Sequence, residues 1–417
     1  MHGRLALGWG WVLGLGVACA PASAARVDRP DRSAVAGPIL PGIDVLLRDS
    51  LHLVRGRRVG LVTNQTGVDA HGVSDVTRLL GAGVRLVALF SPEHGFRGTA
   101  APGAAIASTV DSATGLPIYS LYGRVTAPTD ETLQGVDLLL VDLQDAGARY
   151  YTYIGTTIDV MTVAARRKIP VVVLDRPDPI GGAVQGNVLD PAFASPVGRL
   201  AVPMRHGLTI GELARLARAE LGLGTALTVV PVAGWRRALD WDETGLPFIP
   251  PSPNLLSMEA LLHYPGLCLF EGTALSVGRG TDAPFEQIGA PWLDTAAVLA
   301  RVRSDGIPGV RFRGTTFTPS RPGDGKFADT LVAGIRLEVT DRRAYDPTRT
   351  AVHLLAAVEA VHPGLIGWIP RHFDRLAGGP GLREAIRAGR PPDEIVRGWA
   401  AGLAAFAQRR TPYLLYH

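Results

Sequence analysis

The sequence predicts an α/β protein: a domain built on a parallel sheet, followed by a smaller α+β domain. Three observations predict it. Short, wholly apolar runs alternate with helix-patterned stretches through roughly the first 230 residues, as strands do when crossover helices bury them on both faces. Each of four such runs ends in a polar cluster, the arrangement of strand ends where a parallel sheet opens its ligand crevice. A proline-rich stretch, residues 246–254, then breaks the alternation. Beyond it the chain mixes strands, helices and a long glycine-rich loop.

With 417 residues, 47% of them hydrophobic, the chain can bury two cores of ordinary size. The formal charge is only +4, Lys168 and Lys326 are the only lysines, and the arginines are scattered. No nucleic-acid partner is expected from such a distribution.

His2 and Arg4 precede an apolar stretch, residues 5–18, and a small-x-small site, Ala22-Ser23-Ala24. This reads as a secretory signal over residues 1–24, with a polar linker over 25–38. The expectation is a periplasmic or secreted protein. Cys19 offers a lipoprotein alternative, less favoured because Gly16 stands where leucine is preferred. The apolar run is too short and glycine-rich to span a bilayer, and no later run approaches the required length of about 20 residues. Once the signal is removed Cys268 is the only cysteine, so no internal disulfide forms. Its neighbours Leu267, Leu269 and Phe270 mark it as a small buried residue.

The first domain is expected over 39–240. A strand at 58–63 leads into Asn64 and Gln65, and a helical pattern over 73–80 precedes a strand at 84–90. That strand runs directly into the charged octet Ser91-Pro92-Glu93-His94-Gly95-Phe96-Arg97-Gly98. A third strand, 136–141, ends in Asp142-Leu143-Gln144-Asp145, and a helix over 156–166 follows. A fourth strand, 169–174, ends in Asp175-Arg176. Thr209 and Glu212 have capping-box spacing at the start of another helix, and 227–232 reads as the domain's last strand. The boundary is placed between Trp235 and Pro250, with the second domain over 246–417. There the pattern predicts a loop over 271–292, strands near 310–317 and 331–339, and helices around 351–360 and 393–407.

In a parallel sheet the four polar clusters emerge on one edge, which predicts a single polar pocket. Several chemistries are disfavoured there. Gly278-Arg279-Gly280-Thr281-Asp282-Ala283 fits the degenerate dinucleotide pattern, but Pro284 prevents a helix from opening. The first strand-to-helix turn lacks the pattern too, so no nicotinamide or flavin cofactor is expected despite the Rossmann-like alternation. There is no P-loop and no nucleophile elbow. His94, His206 and His263 have no metal-ligand spacing, and no metal is expected. What remains is acids, amides and aromatic hydroxyls: Glu93, Asp142, Asp145, Glu271 and Asp282, with Tyr150, Tyr151 and Tyr153. Carbohydrate hydrolysis needs that set, one acid protonating the departing oxygen while a second group supports the sugar cation or activates water. Glu93 leaves a buried strand between Pro92 and Phe96, where exclusion of water favours a proton-carrying acid, whereas His94 and Arg97 favour the carboxylate. Asp142, Asp145, Glu271 and the substrate's own acetamido group are alternatives for the second role.

The octet at 91–98, the run from Asp142 through Ala148-Arg149-Tyr150-Tyr151-Thr152-Tyr153, and Asp175-Arg176-Pro177 carry a more specific signal. With Pro250-Pro251-Ser252-Pro253-Asn254, Glu271-Gly272-Thr273, Gly278-Arg279-Gly280-Thr281 and Gly289-Ala290-Pro291-Trp292, they resemble the NamZ-like exo-β-N-acetylmuramidase family. The motifs stand in the family's order from about residue 42 onward. The resemblance implies a glycosidase releasing N-acetylmuramic acid from non-reducing ends of peptidoglycan fragments. It also implies a Rossmann-like domain with its pocket against the smaller one, and places the family's catalytic glutamate at Glu93. The catalytic candidates are Glu93, Asp142 and Asp145. The sugar-binding candidates are Asn64, His94, Arg97, Gln144, Arg149, Tyr151, Asp175, Glu271, Arg279 and Thr281. A non-catalytic protein binding peptidoglycan or muropeptides would share every motif. Ala274 and Val277, where the family commonly has asparagine and glutamate, lean toward that alternative by removing polar groups from a loop expected to face the pocket.

Overall fold

The computed structural model of the protein describes residues 1–3 and 37–417. The expected signal, its Ala22-Ser23-Ala24 site, Cys19 and nearly all of the expected linker lie outside the described residues. Among the described residues no helix is long and apolar enough to cross a membrane.

The chain lays down β1 (Arg58–Thr63), β2 (Arg85–Ser91), β3 (Thr109–Val110), β4 (Pro117–Ser120), β5 (Leu138–Asp142) and β6 (Val171–Leu174). A separate two-stranded ladder follows, β7 (Gln185–Val188) with β8 (Pro203–Arg205), and then β9 (Leu227–Val230). The main sheet has the order β3-β4-β2-β1-β5-β6-β9, and only β3 runs antiparallel to its neighbour. Leaving β3 aside, the chain starts in the middle, fills one edge, and returns to fill the other. That is the doubly wound order, with its switch point between β1 and β5.

Successive strand residues point to opposite faces, and here both faces are apolar. Leu61, Leu140 and Val172 pack under α1 (Gly42–Asp49) and α2 (Asp75–Gly81). Val62, Val141 and Val173 pack under α3 (Tyr153–Arg167) and α4 (Ile210–Glu220). The Thr209–Glu212 capping box that starts α4 is formed from both sides.

The second half contains α5 (Trp241–Thr244), α6 (Met258–Leu267), β10 (Gln287–Ala290), α7 (Thr295–Ser304), β11 (Val310–Phe317), β12 (Val332–Val339) and α8 (Pro347–Val361). Its sheet is antiparallel, in the order β10-β12-β11. Four short helices close the chain: α9 (Pro370–Ala377), α10 (Gly381–Arg387), α11 (Pro392–Arg397) and α12 (Ala400–Arg410). The single helix expected over 393–407 is thus two. Gly398, a poor helix former, breaks it, and its N–H is spent on the carbonyls of Glu394 and Ile395. The two halves share one core, which runs from Phe90 and Val141 through Phe270 to Ile335 and Leu355. Residues 37–417 form one compact body. The chain end returns to the main sheet, where the Tyr416 hydroxyl donates to Asp175 Oδ2 at 2.6 Å. Cys268 is buried, as its apolar neighbours predict.

Candidate active site

Pairing in register sets Thr63 beside Asp142 and Ser91 beside Ser120, so β1, β2, β4 and β5 reach the same edge together. Glu93 stands two residues beyond the end of β2 and is 9% exposed. Two elements far apart in sequence hold its carboxyl. The Gly103 N–H donates to Oε1 at 3.1 Å, and the Thr152 hydroxyl donates to Oε2 at 2.9 Å. Thr152 is the residue before α3, and it spends its side chain on Glu93 instead of capping the helix. A third neighbour is Tyr122. Burial, and then the charge of Glu93, push its phenol well above the usual range, so it remains a neutral donor.

His94 has φ +70°, a left-handed conformation that is costly for a side chain with a Cβ and turns the chain sharply beside Glu93. Its Nδ1 lies 2.9 Å from the Ala100 carbonyl. A carbonyl only accepts, so Nδ1 carries the hydrogen and Nε2 presents a lone pair. Burial holds the ring below its ordinary pKa and therefore neutral at pH 7.

The proline stretch from the second half is tied onto these strand ends. Asn64 Nδ2 donates to the Tyr153 hydroxyl at 2.7 Å, which donates to the Pro251 carbonyl at 3.0 Å. Tyr151 donates to the same carbonyl at 2.7 Å, and Gln65 Nε2 to that of Pro250 at 2.9 Å. Consecutive prolines bring no N–H of their own, so their carbonyls serve as rigid acceptors. On the far side, Arg279 Nε donates to Glu271 Oε1 at 2.7 Å, and the guanidinium lies over the Phe285 ring at 5.0 Å. The turn that presents Arg279 is closed by Thr281, whose hydroxyl donates to the Gly278 carbonyl at 2.6 Å. Gly280 has φ +78°, and a Cβ there would lie 2.5 Å from the Ser320 carbonyl oxygen, so only glycine fits. The loop holding Ser320 reaches back toward Glu93: Pro102, next to Gly103, is 3.9 Å from where a Cβ on Gly323 would stand.

Several expected site residues are placed otherwise. Asp142 is fully buried, with Oδ1 held by Arg176 Nε at 2.5 Å, and serves as an internal ion pair. Asp175 is also fully buried and is saturated by the Gly211 and Arg176 N–H groups and the Thr209 and Tyr416 hydroxyls, so no lone pair remains for a sugar. Arg149 stitches β7 and β8 to α9 by donating to the carbonyls of Asn187, Val202 and Leu376, and burial lowers its pKa to about 10. Arg97 is 71% exposed at its side chain and faces Asp111. Tyr151 and Thr281 are committed to the main-chain carbonyls of Pro251 and Gly278. Gln144 Nε2 is bound to the carbonyls of Asp145 and Pro177, both at 2.9 Å. Val277 is fully buried in the shared core, where it faces no pocket. The polar strand ends therefore do not form one pocket: those of β1 and β5 line a small cavity with Arg176, Trp241 and Phe248, and Glu93 lies outside it.

Asp145 belongs to a buried group with His206, which the sequence raises only as a histidine without metal-ligand spacing, and Asp178, which the sequence did not single out. Asp145 Oδ2 accepts from the Gly147 N–H at 2.7 Å and lies 3.3 Å from His206 Nε2. Gly147, at φ +74°, leaves room for Asp178: a Cβ would stand 2.6 Å from its Oδ1. Asp145 Oδ1, Asp178 Oδ2 and His206 Nε2 are buried without hydrogen-bond partners. Burial pushes the Asp178 carboxyl up to about 7, with Asp145 adding to the rise and His206 opposing it. An acid raised on folding contributes its full stability below its unfolded pKa and loses it as pH rises through the folded value. Asp178→Asn should therefore match the wild type near pH 4 and melt higher by pH 8, the gap opening up to about pH 7. Thermal unfolding across that range checks it; a gap that shrinks with pH refutes it.

Tyr122 follows β4, a strand hidden in the sequence by Pro117, so its strand end went unseen. Thr152 and Asp178 lie inside or beside the family-like motifs, where the neighbouring acids and tyrosines carry the stronger chemical signal.

Two family models cover nearly all of the described chain: "Exo-beta-N-acetylmuramidase NamZ, N-terminal" over residues 59–259 and its C-terminal counterpart over 262–416. The peptidoglycan β-N-acetylmuramidase NamZ of Bacillus subtilis (strain 168) is 40% identical over 398 residues, 95% of each chain. A crystal structure of a DUF1343 family protein from Bacteroides fragilis matches with a TM-score of 0.84 at 34% identity, covering 91% of this chain and 99% of that one. A second from the same organism matches with a TM-score of 0.75 at 32% identity over the same shares.

Proposed function

The chain belongs to the exo-β-N-acetylmuramidase NamZ family, and we propose from that membership, and from the surroundings of Glu93, how it acts. It is a glycoside hydrolase that releases N-acetylmuramic acid from the non-reducing ends of peptidoglycan fragments. Glu93 is the general acid, giving its proton to the glycosidic oxygen as the bond to the sugar's anomeric carbon breaks. One observation carries this: Glu93 is the strand-end acid at the crevice whose two oxygens are aimed by separate elements, Gly103 and Thr152, without being consumed by an internal ion pair. The neutral Tyr122 hydroxyl and His94 Nε2 supply a donor and an acceptor beside it. Asp142 and Asp175 are spent on internal bonds, Asp145 is buried beside His206 and Asp178, and Glu271 is paired with Arg279, which leaves the substrate's own acetamido group to support the positive charge that develops on the sugar. Water then adds at the anomeric carbon and its proton returns to a carboxylate.

The direct test is incubation with a nitrophenyl β-N-acetylmuraminide. Release of nitrophenol is expected, whereas binding without release would make the protein a muropeptide binder. Export is part of the same proposal, supported by the apolar stretch at 5–18 and by Ala22-Ser23-Ala24. Protein recovered outside the cytoplasm should begin at Ala25 on N-terminal sequencing; an intact cytoplasmic chain would contradict export.

A further inference from the structure

N-Acetylmuramic acid differs from N-acetylglucosamine by a lactyl ether that ends in a carboxylate. An enzyme that selects the former needs a cation, or an unspent strong donor, where that acid falls. Arg279 has both properties. It is 9% exposed, and its Nε and Nη2 are directed at one oxygen of Glu271. Its Nη1 is buried with no partner. Leaving a charged donor unsatisfied in a buried position is costly, so a site that tolerates it is poised for an anion.

The local charge balance points the same way. Lys326 donates to the carbonyls of Phe270, Glu271 and Leu275 at 2.9 to 3.3 Å, which fixes a second cation behind Arg279. These two cations share a single mostly buried carboxylate, Glu271; Asp324, the other acid that Lys326 feels, is exposed to solvent. The remaining titratable neighbours are neutral: burial raises the pKa of the Cys268 thiol and the Tyr264 phenol and lowers that of His372. Arg279 is also tied to the surroundings of Glu93. His94 feels the charges of both, and the Gly280–Ser320 contact continues through Gly323 and Pro102 to the Gly103 amide on Glu93.

We propose that Arg279, through Nη1, reads the lactyl carboxylate of the terminal muramic acid, with Glu271 as the positioning residue that aims the guanidinium. This rests on the exo-muramidase reading and adds the feature by which that site selects its sugar. Three nitrophenyl glycosides separate the two: the β-N-acetylmuraminide, its lactyl methyl ester and the β-N-acetylglucosaminide. The wild type should prefer the free acid over the ester by about 10-fold to 100-fold in kcat/KM, the range of a charge-assisted hydrogen bond. Arg279→Gln should bring that ratio close to 1. Arg279→Lys should restore only part of it, because an ammonium lacks the planar fork. If Arg279→Gln alone does not fold, the double variant Glu271→Gln/Arg279→Gln removes the stranded acid and should show the same collapsed ratio. An acid-to-ester ratio near 1 in the wild type, or one unchanged in the glutamine variants, overturns the proposal while leaving the glycosidase intact. Failure to cleave any of the three overturns the exo-muramidase reading and this inference together.

Discussion

Glu93→Gln should lower turnover of a muramic-acid-terminated disaccharide by roughly 10²-fold to 10⁴-fold while substrate binding stays near the wild-type value. The substitution is nearly isosteric. Its amide oxygen can still accept from the Gly103 N–H, and the Thr152 hydroxyl, which now donates to Oε2, can rotate to accept from the new amide. Little folding energy is lost, but the side chain no longer has a proton to give. The loss should be smaller on a nitrophenyl muraminide, since nitrophenolate leaves with little protonation. That contrast between substrates identifies an acid, where a general weakening would not. Weakened binding with turnover spared would make Glu93 a ligand for a sugar hydroxyl, and wild-type turnover on both substrates would remove it from the chemistry.

The parallel half of the fold was legible because its strands are buried on both faces. Runs such as Leu138 to Val141 are apolar at every position, so neither face had to be guessed. β4 was not legible: half-exposed and starting with Pro117, it lacks that signature. β10, only four residues long with Gly289 inside it, reads as loop for the same reason. The helix α6 was masked by Pro265, which the helix tolerates in its last turn, and by the proline stretch before it.

At the site, the edge of the sheet was legible and the direction of each side chain was not. Asp142 is the last residue of β5, and Asp175 follows β6 at once, so both are still within the packed layer. Glu93, two residues beyond β2, has already left it. That difference of one or two positions decides whether an acid is spent inside or offered outside. The partner that consumes Asp142 is equally hidden, because Arg176 is 34 residues away and meets it only through the pairing of β5 with β6. Arg149 misled for a related reason. It lies in a motif shared with the family, yet its three main-chain acceptors come from β7, the approach to β8, and α9.

The Asp142–Arg176 pair yields the largest expected loss of stability. Arg176 and Asp142 are 6% and 0% exposed at their side chains, and Arg176 Nη2 also donates to the Val68 carbonyl at 2.7 Å. Arg176→Met removes the cation and leaves Asp142 buried near Asp75, whose own carboxyl burial and the Asp142 charge already hold far above the ordinary value. Breaking a buried pair from one side costs about 3–5 kcal/mol, because the remaining charge has neither water nor a partner. The penalty should grow with pH. Below about pH 4 both acids are protonated whether folded or not, and their burial is tolerated; as pH rises the unfolded chain ionises them freely and the folded chain resists, so stability drains away. Arg176→Met should therefore melt several degrees below the wild type at pH 8 and nearer to it at pH 5. Adding Asp142→Asn removes the stranded charge and should recover most of the loss, with kcat of the double variant within about tenfold of the wild type, as expected of a pair that holds β5 and β6 in place and touches no sugar. A double variant that refolds fully but loses about 10²-fold or more in kcat would return Asp142 to the catalytic group.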